Sequence, residues 1–519
     1  MGKLLSRRPT LGPFSPVDLL VLASAAFLLV FNSWAGSQYN SDEIIYLDMA
    51  RNMLASGNPL DLVFQGAVLH QRPPLALWLL SASCGLFGFD VFATRLPSIL
   101  MAFASLVILL RLGAKLGLGG FRARLAVLLL LSTHLFYFTA RRPMTDLCFL
   151  AGCLWFFCAL LDLHKGHLAA LSVGLAASWM AMTKGVVAFL PMGAGGLFLL
   201  LTGRLPSPRI LLSALFPFLA LTAPWHLLQW ARHGSTFWAE YIGFNVLQRA
   251  GTSLFAESDP SFYLRELLRF EGILGLLLPA APTALAALTI VRRARHPNQA
   301  PNQAHLLILL WWVCCLFPFF FAQTKLYHYL LPSAPAMCLA IAAILPATIS
   351  LPLRAASFLG ALVFFLGACL PHLVRPDYSP QQTQLAAALA PRLPATTQVC
   401  TYNHYDLVFF WDLNRPVDIR ADNPAFLSRT LTIPEHAKNH SVSVTDLAAL
   451  QQGLLDGDLV VLTPEFLVES LCGGLGRPLC TGEGRPVVLV QRDLALVGLA
   501  LAGGAGGQPS PSQTPAPVL

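Results

Sequence analysis

Stretches of about 20 predominantly apolar residues, the length a helix needs to cross a bilayer's hydrocarbon core, recur along this chain from Pro16 to residue 372. Few folds are open to such a chain. In lipid every backbone N–H and C=O must be satisfied within the protein, which leaves helices or a closed barrel. Continuous apolar runs without strict alternation select helices. Candidate spans read as 16–36, 95–113, 124–140, 146–163, 167–182, 185–202, 209–229, 271–291, 304–322, 328–346 and 352–372. Of the 519 residues, 55% are hydrophobic and 12% charged, about half the charged share of a soluble chain. The expected fold is an α-helical polytopic membrane protein of about 11 to 13 transmembrane helices.

Charge placement orients the spans. The formal charge of +8 is dispersed over short loops rather than gathered on one face, which argues against a nucleic-acid partner. If the short apolar region 74–90 does not cross, the segments RLGAKLGLGGFRAR, DLHKGH, TGRLPSPR and VRRARHPNQ share the side of the N-terminus, as the positive-inside rule requires of cytoplasmic loops. Region 74–90 is therefore read as a re-entrant or interfacial helix. Lys3, Arg7 and Arg8 precede the first span; its apolar run exceeds a signal-peptide h-region and lacks a clear cleavage site, so it reads as a retained anchor. Residues 1–15 are then cytoplasmic, and 16–372 form a membrane domain with a long outer loop, 37–94. The other outer segments are 141–145, 183–184, 230–270, 323–327 and everything after about 373.

Beyond the membrane part, residues 376–495 alternate strand-like and helix-like segments, as a small extracytoplasmic α/β domain would. In TTQVCTYNHYDLVFFWDLNRPVDIR two strand-like runs flank a turn, TDLAALQQGLL reads as a helix, and RPVVLVQR as a closing strand. Residues 503–519 are Gly/Pro/Ser-rich and read as disordered. Eleven cysteines include eight in apolar stretches, where packing is the default. Cys472 and Cys480 are placed to form a disulfide in an oxidising compartment, with the pairing left open by sequence.

Polar residues at span ends on the outer side need an explanation, because charge at membrane depth is costly. Asp42 and Glu43 begin NSDEIIYLDMARNMLASGNP, an interfacial amphipathic helix capped by Ser41. Arg72 precedes a rigid Pro73-Pro74 turn; Arg141, Arg142 and Asp146 stand in ARRPMTDL; Lys184 sits beside Gly185; Lys325, Tyr327, His328 and Tyr329 stand in QTKLYHYLLP. Each has a plain structural reading: a helix N-terminus for the acids, snorkelling for Arg72, a local ion pair in ARRPMTDL, a turn lysine, and an aromatic belt for the tyrosines. Taken together on one face, carboxylates among several cations suit an anionic, phosphate-bearing substrate with a general base beside it. Walker, GxGxxG and GxSxG patterns are lacking.

In order along the chain, SDEIIYLDMARNMLASGNP, QRPPLALWLL, GLFGFDVFATRLPSIL, RRPMTDLCFL, MTKGVV, APWHLLQW, FWAEYIGFNVLQR and KLYHYLLPSAPAMCLA resemble glycosyltransferase superfamily C. The likeness is to the bacterial branch holding the lipid A aminoarabinose transferase and relatives of the protein O-mannosyltransferases. It covers most of 16–346, and FFWDLNRPV in the tail resembles that branch too. The resemblance implies a multi-span transferase of the bacterial inner membrane. It would take a polyprenyl-phosphate-linked sugar as donor, and a lipid, glycan or protein as acceptor, on the periplasmic or exterior face. It makes Asp42 the catalytic carboxylate, accompanied by Glu43, with Asp146 the aspartate of the second motif. It places Arg72, Lys325, Tyr329 and Arg249 at the donor phosphate, where Lys184, on the same face, is also expected. Relatives that bind a divalent metal carry Glu before the basic residue of the double-proline motif, and this chain has Gln71. An amide is a poor ligand for such a cation, so metal held through Asp42 is not expected as a cofactor. The competing classes are a transporter or flippase of an anionic lipid-linked substrate, against which the lack of an internal repeat counts, and a structural membrane subunit.

Overall fold

The computed structural model describes residues 14–36, 41–252, 259–299, 302–346 and 348–374, with further segments between 386 and 498. They fall into two compact units. The first comprises the membrane helices up to Pro376, and the second comprises Ser37–Ile44, Gln65–Ala67 and the chain from Asp377.

In chain order the helices are α1 Pro16–Val30, α2 Ser41–Ser56, α3 Leu75–Phe87, α4 Val91–Lys115, α5 Gly119–Leu131, α6 His134–Ala140, α7 Asp146–Leu160, α8 His167–Lys184, α9 Phe189–Leu201 and α10 Pro208–Trp238. They continue as α11 Arg249–Gly251, α12 Phe262–Glu271, α13 Leu274–Arg295, α14 Gln303–Phe321, α15 Ala334–Ile344, α16 Leu351–Ala368 and α17 Leu370–Val374. A short hairpin, β1 Val63–Phe64 and β2 Ala67–Val68, lies between α2 and α3. Among the described residues seven helical stretches are long and apolar enough to cross a membrane, or eight if the pair α5 and α6, bent by 67°, is one span. Helices α1 and α7 are apolar but only 15 residues long, roughly 22 Å. With 13 residues, α3 reaches roughly 20 Å and falls short of the roughly 30 Å hydrocarbon core.

Side-chain contacts fix the directions of the helices. Lys184, ending α8, meets Asp146, which begins α7, whereas Gly195 of α9 packs on Phe156 and Leu160 towards the other end of α7. Helices α8 and α9 are thus an antiparallel pair turning at Gly185, whose φ of 57° is a conformation that favours glycine. Gly174 and Ser178 of α8 meet Ala214 and Pro217 of α10 in parallel order. A consistent polarity follows. One end of the bundle holds Lys115 on Asp162 at 2.7 Å, Arg124 on Asp18 at 2.7 Å, and Arg122 donating to the Leu345 carbonyl. Asp146, Lys184, Glu271 and Lys325 belong to the opposite end. The apolar core between the two ends is built on residues such as Phe149, Phe157, Trp311 and Leu339.

The second unit contains a six-stranded mixed sheet of β3 Gln398–Tyr402, β4 Ile419–Ala421, β5 Val442–Val444, β6 Leu459–Pro464, β7 Val487–Gln491 and β8 Leu494–Gly498, in the order β5-β4-β3-β6-β8-β7. The first four are parallel, with Thr401 opposite Ile419 and Val399 opposite Val460, and β8 runs antiparallel to β6 and β7. Leu450 and Leu454 of the helix Leu447–Asp456 pack on Cys400, Tyr402, Leu459 and Val461. One sequence expectation is corrected here. The run LVFFW is a helix, Leu407–Leu413, and not a second strand. Parallel strands cannot be joined by a tight turn, so the connection from β3 to β4 must cross over, and this helix lies within it. Cys472, Cys480 and residues 503–519 lie outside the described residues.

Candidate functional site

The polar end of the membrane unit is assembled from helix termini. Asp146 opens α7 and is 4% exposed; its Oδ1 lies 2.7 Å from Nζ of Lys184, the last residue of α8. The local ion pair expected within ARRPMTDL does not form. Arg141 donates from Nη1 to the Tyr137 hydroxyl at 2.6 Å, and Arg142 lies over the Phe138 ring at 3.7 Å. A helix N-terminus favours a carboxylate and a C-terminus a cation, so antiparallel α7 and α8 are predisposed to this pair. The charges of His328 and Arg72 also act on Asp146, which brings the double-proline motif, the second motif and the late KLYHY motif together.

Arg72 is held by Tyr46 of α2, donating to its hydroxyl while its guanidinium lies over the ring, 4.4 Å from the centroid. Gln71 beside it is buried. Among the described residues no group of three or more His, Cys, Asp or Glu side chains is placed to hold a metal ion. The amide and guanidinium at 71 and 72 do not fit a hard cation.

A second set of cations stands around the 3₁₀ turn Tyr327–Ser333. Arg249 Nη1 donates to the Tyr329 hydroxyl at 3.1 Å. The loop carrying Lys325 is strapped to the same segment by Gln323 N–H to Ala250 O and Thr324 N–H to Arg249 O, both 3.0 Å. Lys325 is 4% exposed; its ammonium donates to the carbonyls of Phe320 at 2.9 Å and Ala322 at 2.6 Å, and sits 5.9 Å from the Tyr263 ring centroid. Burial holds its pKa below the usual lysine value, against the opposing charge of Asp259. It forms no salt bridge with a carboxylate among the described residues.

Asp42 and Glu43 occupy the first turn of α2, with Asp42 half-buried and Glu43 fully buried. That turn belongs to the second unit. Arg72, Asp146, Lys184, Arg249, Lys325 and Tyr329 all belong to the first.

Several polar groups were missed in the sequence. Asp61 accepts from Asn58 at 3.0 Å, Gln229 at 2.8 Å, Arg232 at 3.2 Å and His233 at 3.2 Å. Glu240 accepts from the His70 N–H at 3.1 Å. Glu271 accepts from the N–H groups of His134 and Leu135 and from the Tyr327 hydroxyl, at 2.7, 2.8 and 2.7 Å. Acids in loops and at the ends of helices carry no pattern by themselves. In 230–270 the available sequence signal is the interleaving of aromatic and charged residues.

Residues 71–228 match the family model described as dolichyl-phosphate-mannose-protein mannosyltransferase. The fold is that of ArnT from Cupriavidus metallidurans, solved bound to undecaprenyl phosphate: the TM-score is 0.70 at 16% identity, covering 94% of this chain and 100% of that one. The matched segment and the fold are similar to those of glycosyltransferase superfamily C. Within it, the chain is similar to the undecaprenyl phosphate-alpha-4-amino-4-deoxy-L-arabinose arabinosyl transferase of Erwinia tasmaniensis, 28% identical over 57% of this chain and 53% of the relative. It is also similar to an uncharacterised protein of Aquifex aeolicus, 26% identical over 62% of each. The chain thus spans between half and two thirds of the length of these curated relatives.

Proposed function

We propose that this protein transfers a sugar from a polyprenyl-phosphate donor to a lipid, glycan or protein acceptor, at the periplasmic face of a bacterial inner membrane. The observation that carries the reading is Lys325, a buried ammonium satisfied, among the described residues, by backbone carbonyls rather than by a carboxylate. A protein keeps a charge at this depth when a counter-charge arrives with the ligand. Arg249 and Tyr329, bonded to each other and strapped to the Lys325 loop, extend that site to several donors, as a phosphate with three accepting oxygens requires. The orientation follows from the basic residues at the other end of the bundle, Lys115, Arg122 and Arg124 among them. In this reading the shorter helices complete a set of about 11 to 13 crossings, and the tail sheet is extracytoplasmic.

The reaction is an inverting displacement. The acceptor oxygen attacks the anomeric carbon, the bond from that carbon to the phosphate oxygen breaks, and polyprenyl phosphate leaves with the electron pair. Asp42 takes the acceptor's proton, with Glu43 supporting it. Arg72, Arg249 and Lys325, with the Tyr329 hydroxyl, stabilise the charge growing on the phosphate. Asp146 acts with Lys184 as the charge partner that sets the second motif in place.

The test uses purified protein in nanodiscs with a radiolabelled polyprenyl-phosphate sugar and an extract of envelope lipids and glycans. Transfer off the carrier by wild type and its loss in Asp42→Asn, with folding retained, is the expected outcome. Sugar that stays on its carrier in the wild type would point to a transporter, and normal transfer by Asp42→Asn would remove Asp42 from the chemistry.

A further inference from the structure

Arg72 and Arg249 are asked to meet one phosphate, yet Arg72 lies outside any helix and Arg249 stands on the three-residue α11. Arg72 lies near the end of the segment 57–74 between α2 and α3, which holds the short hairpin β1–β2. Arg249 directly follows a ten-residue π-helix, Ala239–Gln248, that begins five residues after the break at Gly234, where φ is 57°. π-Helical turns are rare and cluster at functional sites. A site of this kind works only when its charged groups are held to within about 0.5 Å. Something must fix these two segments to each other.

Two carboxylates do so, one from each segment. Asp61 of the loop accepts from Gln229, Arg232 and His233, all of α10 before the break, and from Asn58 of its own loop. Burial drives its pKa upward, but the hydrogen bonds from Gln229, Asn58 and His233 and the charge of Arg232 prevail and hold it below the usual carboxylate range. Beyond the break, Glu240 of the π-helix reaches back to the His70 N–H. The indole of Trp225 and the amide of Gln229 also donate to Leu60 O, both at 3.0 Å, and the His70 ring packs on His233 at 4.4 Å and on Phe237 at 5.8 Å. His70 lies two residues before Arg72 and Glu240 nine before Arg249. The loop is therefore fastened on both sides of Gly234, and its last fastening lies next to each cation.

We infer that Asp61 and Glu240 are positioning residues that set Arg72 against Arg249 for one shared donor phosphate, an inference that rests on the function proposed above. Neither touches substrate. The effect is on affinity for the phosphate and on its stabilisation in the transition state, over and above any loss of stability.

Undecaprenyl phosphate is the probe, its affinity measured by native mass spectrometry on the full chain in detergent, with melting temperature recorded in parallel. Glu240→Ala removes the acceptor of the His70 N–H and is expected to weaken binding about tenfold. Glu240→Gln keeps a carbonyl at that place and should restore most of it. Asp61→Asn keeps an acceptor but loses the charge facing Arg232, and should weaken binding severalfold even where Glu240→Ala fails to fold. Lys115→Met, at the opposite end of the bundle, serves as a destabilised control that binds normally. A wild type that binds no undecaprenyl phosphate overturns the proposed function. Wild-type binding unchanged in Glu240→Ala and Asp61→Asn overturns this inference alone, and so does a loss no greater than that of Lys115→Met at an equal fall in melting temperature.

Discussion

Replacing Lys184 by Met would show whether its ammonium serves the protein or the substrate. Its Nζ is 2.7 Å from Asp146, which is almost wholly buried. Removing one partner of a buried pair costs about 3–5 kcal/mol, because the other charge is left without compensation. Here Arg72 and His328 still act on Asp146, so the cost should lie near the lower end, at about 3 kcal/mol. Losing a cation from the last turn of α8 adds some tenths of a kcal/mol. Asp146→Asn in the Lys184→Met background removes the stranded charge and should recover most of that loss. The assay is a double-mutant cycle on unfolding of the detergent-solubilised protein, with sugar transfer measured on the same four proteins. A coupling energy of about 2–3 kcal/mol is expected. If the two single costs simply add, Lys184 is not the structural counter-ion of Asp146 and is free to meet the donor phosphate. Recovered stability without recovered transfer would give Asp146 a role in the reaction beyond the pair.

Lys325→Met should lower kcat/KM for the donor by about 10- to 100-fold, the worth of one charge-assisted hydrogen bond, measured with saturating acceptor; a change below about threefold would take Lys325 out of the phosphate site. Glu271 predicts a pH effect. Burial, opposed by the hydrogen bonds from Tyr327 and the N–H groups of Leu135 and His134, raises its pKa from 4.5 to about 7. The folded protein therefore holds a proton that the unfolded chain releases, so this contribution is complete below pH 4.5 and is lost as pH rises through about 7. Melting temperature should fall between pH 5 and 8 in the wild type, and the fall should be smaller in Glu271→Gln; equal slopes would refute it.

The sequence carries the helices because apolar length is a one-dimensional property, and the lysines and arginines of loops such as VRRARHPNQ carry their orientation for the same reason. Pairing is three-dimensional and was read less well. Asp146 has two arginines within five residues, yet its partner is Lys184, because antiparallel packing of α7 on α8 brings opposite helix termini level. LVFFW was read as a strand on composition, whereas the parallel pairing of β3 with β4 demands a crossover that such a short window cannot reveal. The candidate site residues Arg72, Arg249, Lys325 and Tyr329 are legible through the order of the motifs. Asp61, Glu240 and Glu271 were not, since what distinguishes them is the donors that converge on them from distant elements.

Those convergent donors separate two kinds of acid and base at this end of the bundle. Asp61, Asp146 and Glu271 are each met by donors from other elements, and their charge or hydrogen-bonding capacity is used up inside the protein. Lys325 is different. Its ammonium is desolvated, its bonds among the described residues run only to carbonyl oxygens at the end of α14, and its pKa is pulled down by that burial. The protein thus bears the cost of a buried cation that, among the described residues, no carboxylate touches, with only the charge of Asp259 acting on it, for as long as the site holds no anion. When an anion binds, that cost is relieved, and the relief is part of the binding energy. The gain is greatest where the charge on the anion increases, as it does on a phosphate whose bond to the sugar is breaking. A transporter gains nothing from a site whose hold on the phosphate strengthens as that bond lengthens. A transferase gains rate, because an interaction that is stronger in the transition state than in the ground state is the kind that lowers the barrier.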